Sequence, residues 1–101
     1  MSDYQITTVQ PGQRLAILQA LKAQTDGKLN ENDITNWLDT YGYRLTRDDV
    51  RERLRDLEKL DAVRVTFAGG VIMVAELTRR GEDHLERRGA PLVGVARPPR
   101  D

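Results

Sequence analysis

The chain of 101 residues has no cysteine, which excludes disulfides and thiolate metal sites and fits a reducing compartment. It has a single histidine, and His84 with scattered carboxylates matches no recognisable ligand spacing, so neither a metal nor a cofactor is expected. Long apolar runs are missing. Nothing is long enough to span a bilayer, and the N-terminus lacks the charged-then-apolar order of a secretory signal, so a soluble cytoplasmic protein is expected. Net charge is missing too: sixteen basic residues balance sixteen acidic ones. A strong non-specific polyanion binder usually carries a basic excess, so binding to nucleic acid would need a local basic face. Thirteen of the sixteen basic residues are arginine, whose planar fork pairs with phosphate, guanine or carboxylate. The length suits one domain, and there is no internal repeat of solenoid length.

The clearest pattern runs from Leu45 to Leu60. Thr46 is a good N-cap, Asp49 stands where its carboxylate can reach back to the cap, and Leu45 with Val50 fits a hydrophobic staple. Val50, Leu54 and Leu57 recur on one apolar face, while Arg47, Arg51 and Arg55 form a second stripe at i, i+4 spacing. Upstream, residues 1–10 show no helical or strand pattern and read as a flexible arm. A first amphipathic helix follows from Pro11 to Gln24, with Leu15, Ala16, Ile17, Leu18, Ala20 and Leu21, closed by Thr25-Asp26-Gly27. Leu29, Asn30 and Asp33 repeat the order of leucine, cap and acid. They open a second helix whose apolar face is Ile34, Trp37, Leu38 and Tyr41, with Gly42 just past its end.

Beyond Leu60 the period changes. Val63, Val65 and Phe67 alternate with Arg64 and Thr66, Ala68-Gly69-Gly70 is a turn, and Val71 to Leu77 is a second strand, together a β-hairpin. Thr78 caps a last helix running to Arg88, with Gly89 after it. Gly81 in its first turn lowers helix propensity, so crowding at that point is expected to require it. Residues 90–101, with Pro91, Pro98 and Pro99, read as an extended tail. The expected fold is mainly α with a small antiparallel hairpin, the single domain spanning residues 11–89.

This order of three helices, a two-stranded hairpin and a C-terminal helix resembles the winged helix-turn-helix. The third helix running into Val63-Arg64-Val65 is similar to a recognition helix entering its wing. Leu77-Thr78-Arg79-Arg80-Gly81 resembles the Leu-Thr-x-x-Gly segment that follows the wing in bacterial multiple-antibiotic-resistance and phenolic-acid regulators. Residues 91–98 and the overall size are similar to small uncharacterised proteins of Mu-like prophages, sometimes labelled as arsenic-repressor-like regulators. The resemblance implies a compact, often dimeric DNA-binding fold with the third helix in the major groove.

On that reading Arg44, Thr46, Arg47 and Arg51 face base edges and Arg55 a phosphate, while Asn30 and Asn32 offer further contacts at the second helix's N-terminus. A homodimer through Ile17, Leu21 and Leu85 is expected, because the first helix carries apolar residues beyond one stripe. Two features oppose DNA. Residues 47–60 hold five basic and five acidic side chains, with Asp48–Arg51, Glu52–Arg55 and Asp56–Lys59 at i, i+3, and the wing tip has no basic residue. Double-stranded DNA is therefore the leading partner, and a non-catalytic protein-interaction adaptor is the alternative. No nucleophile with a nearby base is visible, so an enzyme is not expected. Trp37 and Tyr41 read as core, His84 as a solvent-facing side chain, and Gly69-Gly70 as a turn rather than a phosphate loop.

Overall fold

A computed structural model describes residues 9–99, so most of the arm expected over residues 1–10 lies outside the described residues. The elements are α1 (Gln10–Lys22), β1 (Lys28–Asn30), α2 (Glu31–Thr40), α3 (Arg47–Lys59), β2 (Val63–Ala68), β3 (Ile72–Leu77) and α4 (Arg79–Leu85). Gln10, placed in the arm by the sequence, is helical and buried.

The helix starts follow from side-chain chemistry. Thr46 and Asp49 form a reciprocal capping box: the Thr46 hydroxyl accepts the Asp49 N–H at 3.1 Å, and the Asp49 carboxylate accepts the Thr46 N–H at 3.0 Å. That backbone bond, with the Thr46 hydroxyl behind it, holds the Asp49 carboxyl below the usual range. Asn30 caps α2 and Thr78 caps α4, each accepting an N–H three residues on. Three helices close with the same paired bonds. Gly42 and Tyr43 donate to Asp39 and Leu38, Asp61 and Ala62 to Glu58 and Leu57, and Arg87 and Arg88 to His84 and Asp83. The first donor of each pair has positive φ, at 88°, 59° and 58° respectively. Gly42 was legible as such a residue. At the end of α4, however, Arg87 takes the position two residues before Gly89, so α4 stops at Leu85 rather than Arg88.

The sheet has the order β1-β3-β2, antiparallel throughout. β1 adds a third strand to the expected hairpin. Three residues are too few to show alternation, and Leu29 reads equally well as a helix staple. Gly69 and Gly70, both at positive φ, turn the wing. Four helices and this sheet form a winged helix-turn-helix arrangement, with α3 leading directly into β2.

α1 runs through the middle, packed against α2, α3, α4 and β3. Ile17, Leu18, Ala20 and Leu21 have no exposed surface, because a helix covered on several sides buries apolar residues all round. Ile17 and Leu21, expected on a dimer surface, are thus inside the monomer, and Leu85 is half-buried against the same core.

Residues 90–99 are not a loose tail. Leu92 and Val95 are buried in the core, and the Ala96 N–H donates to the Pro11 carbonyl at 3.0 Å. His84 is the clasp. It is 3% exposed, its Nδ1 accepts the Leu92 N–H at 3.0 Å, and Nε2 lies 2.8 Å from the Ala96 carbonyl. Since Nδ1 accepts, Nε2 carries the proton and donates. The surface histidine of the sequence reading is therefore a buried joint, a role set by a segment eight to twelve residues downstream.

Candidate nucleic-acid interface

The outward surface of α2, the turn after it, α3 and the wing is where a winged helix meets DNA. Its organising group is Glu31, which the sequence reading did not single out. Glu31 is the first residue of α2 and its side chain has 0% exposure. One carboxylate oxygen accepts Arg47 Nε at 2.6 Å and Arg51 Nε at 2.7 Å. The other accepts Arg51 Nη2 at 2.8 Å and the Met73 N–H at 2.6 Å. All four acceptor positions of the carboxylate are filled.

The Met73 bond has a simple origin. Along β3 the Leu77 N–H pairs with the Gly27 carbonyl, and β1 pairs with β3 up to Asn30 and Val74. Where the chain leaves β1 to start α2, the Glu31 side chain takes over as acceptor for β3. One carboxylate thus ties α2, α3 and the wing together. Arg51 holds it with a two-pronged fork and also donates Nη2 to the Val71 carbonyl at 3.0 Å. The Arg51 bonds, then those of Arg47 and Met73, lower the Glu31 carboxyl from 4.5 to about 2, against the opposing effect of burial.

The arginine stripe is therefore not uniform. Arg51 is largely occupied by Glu31 and Val71. Arg55 is half-exposed, donates to Glu58 at 2.9 Å and lies 5.7 Å from the centre of the Phe67 ring. Arg47 is different: its Nε is fixed by Glu31, its side chain is 52% exposed, and its two Nη groups meet no partner among the described residues. Arg44, in the turn before α3, is exposed and likewise unpartnered there. None of the three i, i+3 pairs expected along α3 forms, and the i, i+3 pair that does is Arg55 with Glu58. Arg51 goes to α2, Asp56 takes Arg14 of α1 at 2.9 Å, and Glu52 takes its neighbour Arg53. Arg53 is itself buried, with Nε on Gln13 at 3.0 Å.

The remaining expected contacts divide. Thr46 and Asn30 each use a side-chain oxygen in capping, while Asn32 is exposed at the start of α2. A shallow cleft lined by Thr35, Asn36, Asp39, Arg44, Leu45 and Thr46 separates α2 from α3. The wing tip is apolar, with Phe67 43% and Val71 64% exposed. No helix among the described residues is long and apolar enough to cross a membrane.

The chain is 38% identical over 85 residues to the uncharacterized protein gp26 of Escherichia phage Mu, a match covering 84% of this chain and 85% of that protein. It belongs to the phage Mu gp26 family. The similarity to a phage Mu protein thus extends over most of the chain. No protein-family model and no solved structure matches.

Proposed function

We propose that this member of the gp26 family binds double-stranded DNA in the cytoplasm as a phage or prophage regulator, with the N-terminal half of α3 in the major groove. The observation that carries this reading is Arg47. A buried carboxylate fixes its Nε and leaves both Nη groups directed away from any partner among the described residues. A guanidinium held in this way presents the two donors that pair with guanine O6 and N7, its side-chain freedom already reduced. Arg44 adds a second cation without a partner among the described residues, three positions earlier in the segment before α3. The Glu31–Arg47–Arg51 group is net positive, so the face is cationic where it is organised although the chain is neutral overall.

The test is fluorescence anisotropy of a random-sequence duplex titrated with the protein over a salt series. Association at low salt is expected, falling linearly on a log–log plot with a slope of about −0.9 per phosphate neutralised. No association at low salt would contradict the proposal. It would favour a protein-interaction adaptor, the reading supported by the apolar wing tip at Phe67 and Val71.

A further inference from the structure

Trp37 and Tyr41, expected in the core, line a groove instead. Their rings lie 5.9 Å apart and tilted by 35°, and Tyr41 is 66% exposed. With Tyr43 they face Leu15 and Ala16 of α1 across a groove of about 380 Å³. Asp33 stands one helical turn before Trp37, so Asp33, Trp37 and Tyr41 follow one another at i, i+4, i+8 along α2. The Asp33 side chain is exposed and without a partner among the described residues. An aromatic groove with an acid one helical turn beyond its tryptophan is the receptor chemistry for an extended proline segment flanked by arginine: rings pack on the prolines, and the carboxylate takes the guanidinium.

This chain carries such a segment, Arg97-Pro98-Pro99-Arg100. Consecutive prolines preset the extended left-handed conformation and lower the entropy lost on docking. Arg97 and Pro99 are exposed, and Arg97 has no partner among the described residues. The segment does not fill its own groove. Arg87 of the same chain donates to the Pro98 carbonyl, which fixes the segment beside α4. α4 and α2 are both partners of α1, whereas the groove lies between α1 and α2.

We propose that the groove of one copy takes the Arg97–Arg100 segment of a second copy. The contact is heterologous, with groove and segment on different surfaces, so copies add head to tail. Asp33 meets an arginine, and the two prolines seat against Trp37 and Tyr41. It uses the side of α2 that faces α1 rather than Arg47 and the wing, and it does not depend on DNA binding.

The test uses the full chain in sedimentation velocity, with concentrations up to roughly 0.5 mM to reach weak association. The wild type is expected to show concentration-dependent oligomers. Tyr41→Ala, at a site exposed enough to leave folding unaffected, and the double substitution Pro98→Ala with Pro99→Ala are each expected to remain monomeric. An equimolar mixture of the two retains one intact groove and one intact segment and is expected to form dimers but nothing larger. Asp33→Asn should weaken association about threefold, as for an exposed ion pair. Trp37 is the only tryptophan, so a synthetic peptide of residues 95–101 is expected to change its emission saturably, and a version with both prolines replaced by alanine should not. A wild type that stays monomeric, oligomers that survive both sets of substitutions, a mixture that fails to dimerise, or an emission that ignores the peptide would each overturn the proposal.

Discussion

Glu31 shows how one side chain can fix the relation between three elements. Its carboxyl lies at about 2 in the folded chain against 4.5 when unperturbed, chiefly through Arg51. The unfolded chain therefore binds the proton first. The stabilisation is complete above about pH 5 and is lost as pH falls towards the folded value. Discounted for the solvent that reaches Arg47 and Arg51, it is on the order of 2 kcal/mol. Glu31→Gln should accordingly lower stability in urea unfolding at neutral pH by about that amount, and the gap from the wild type should narrow in acid. A gap unchanged between about pH 6 and pH 3 would contradict this assignment. Gly81 gives a second test at this scale. A Cβ there would fall on the Ala62 carbonyl oxygen and within 2.8 Å of Leu77 Cδ1. Gly81→Ala should lower the melting temperature by the equivalent of about 1–3 kcal/mol, although alanine is the better helix former. The sequence pattern already pointed to crowding here, and the contact with the carbonyl supplies its cause.

At the level of elements, what was legible was what neighbours in sequence determine. The caps at Asn30, Thr46 and Thr78 and the wing turn at Gly69-Gly70 all depend on residues within a few positions of one another. What escaped depends on distant partners. Glu31 looks like an ordinary acid at a helix start, where the dipole favours one, until β3 arrives 42 residues later. His84 looks solvated until residues 92 and 96 fold back over it. Replacing it should show the joint at work. His84→Leu removes both bonds, strands the Leu92 N–H and Ala96 carbonyl, and should cost about 1–3 kcal/mol with faster amide exchange at Leu92. Full protection of that amide in the variant would contradict the clasp. Asp61 offers the opposite sign. It holds φ 59° at the end of α3, so Asp61→Gly should stabilise the fold by about 1 kcal/mol in thermal unfolding.

For the whole molecule, neutrality is arranged rather than uniform. Several arginines are answered by carboxylates from other elements: Arg14 by Asp56, Arg51 by Glu31 and Arg64 by Glu76. Surface pairs of this kind add little stability, but they remove charge from solvent. What remains unanswered among the described residues near the start of α3 is the pair of Arg47 Nη groups and Arg44, beside an apolar wing tip. Such a surface should bind DNA weakly without sequence preference and rely on a few directed contacts, so the central claim stands or falls on Arg47. The most direct measurement compares duplex affinity at low salt for the wild type, Arg47→Ala and Arg55→Ala. Arg47→Ala should lose about 1–3 kcal/mol, roughly tenfold or more, while Arg55→Ala changes affinity only slightly. Equal affinity for the wild type and Arg47→Ala would contradict the account.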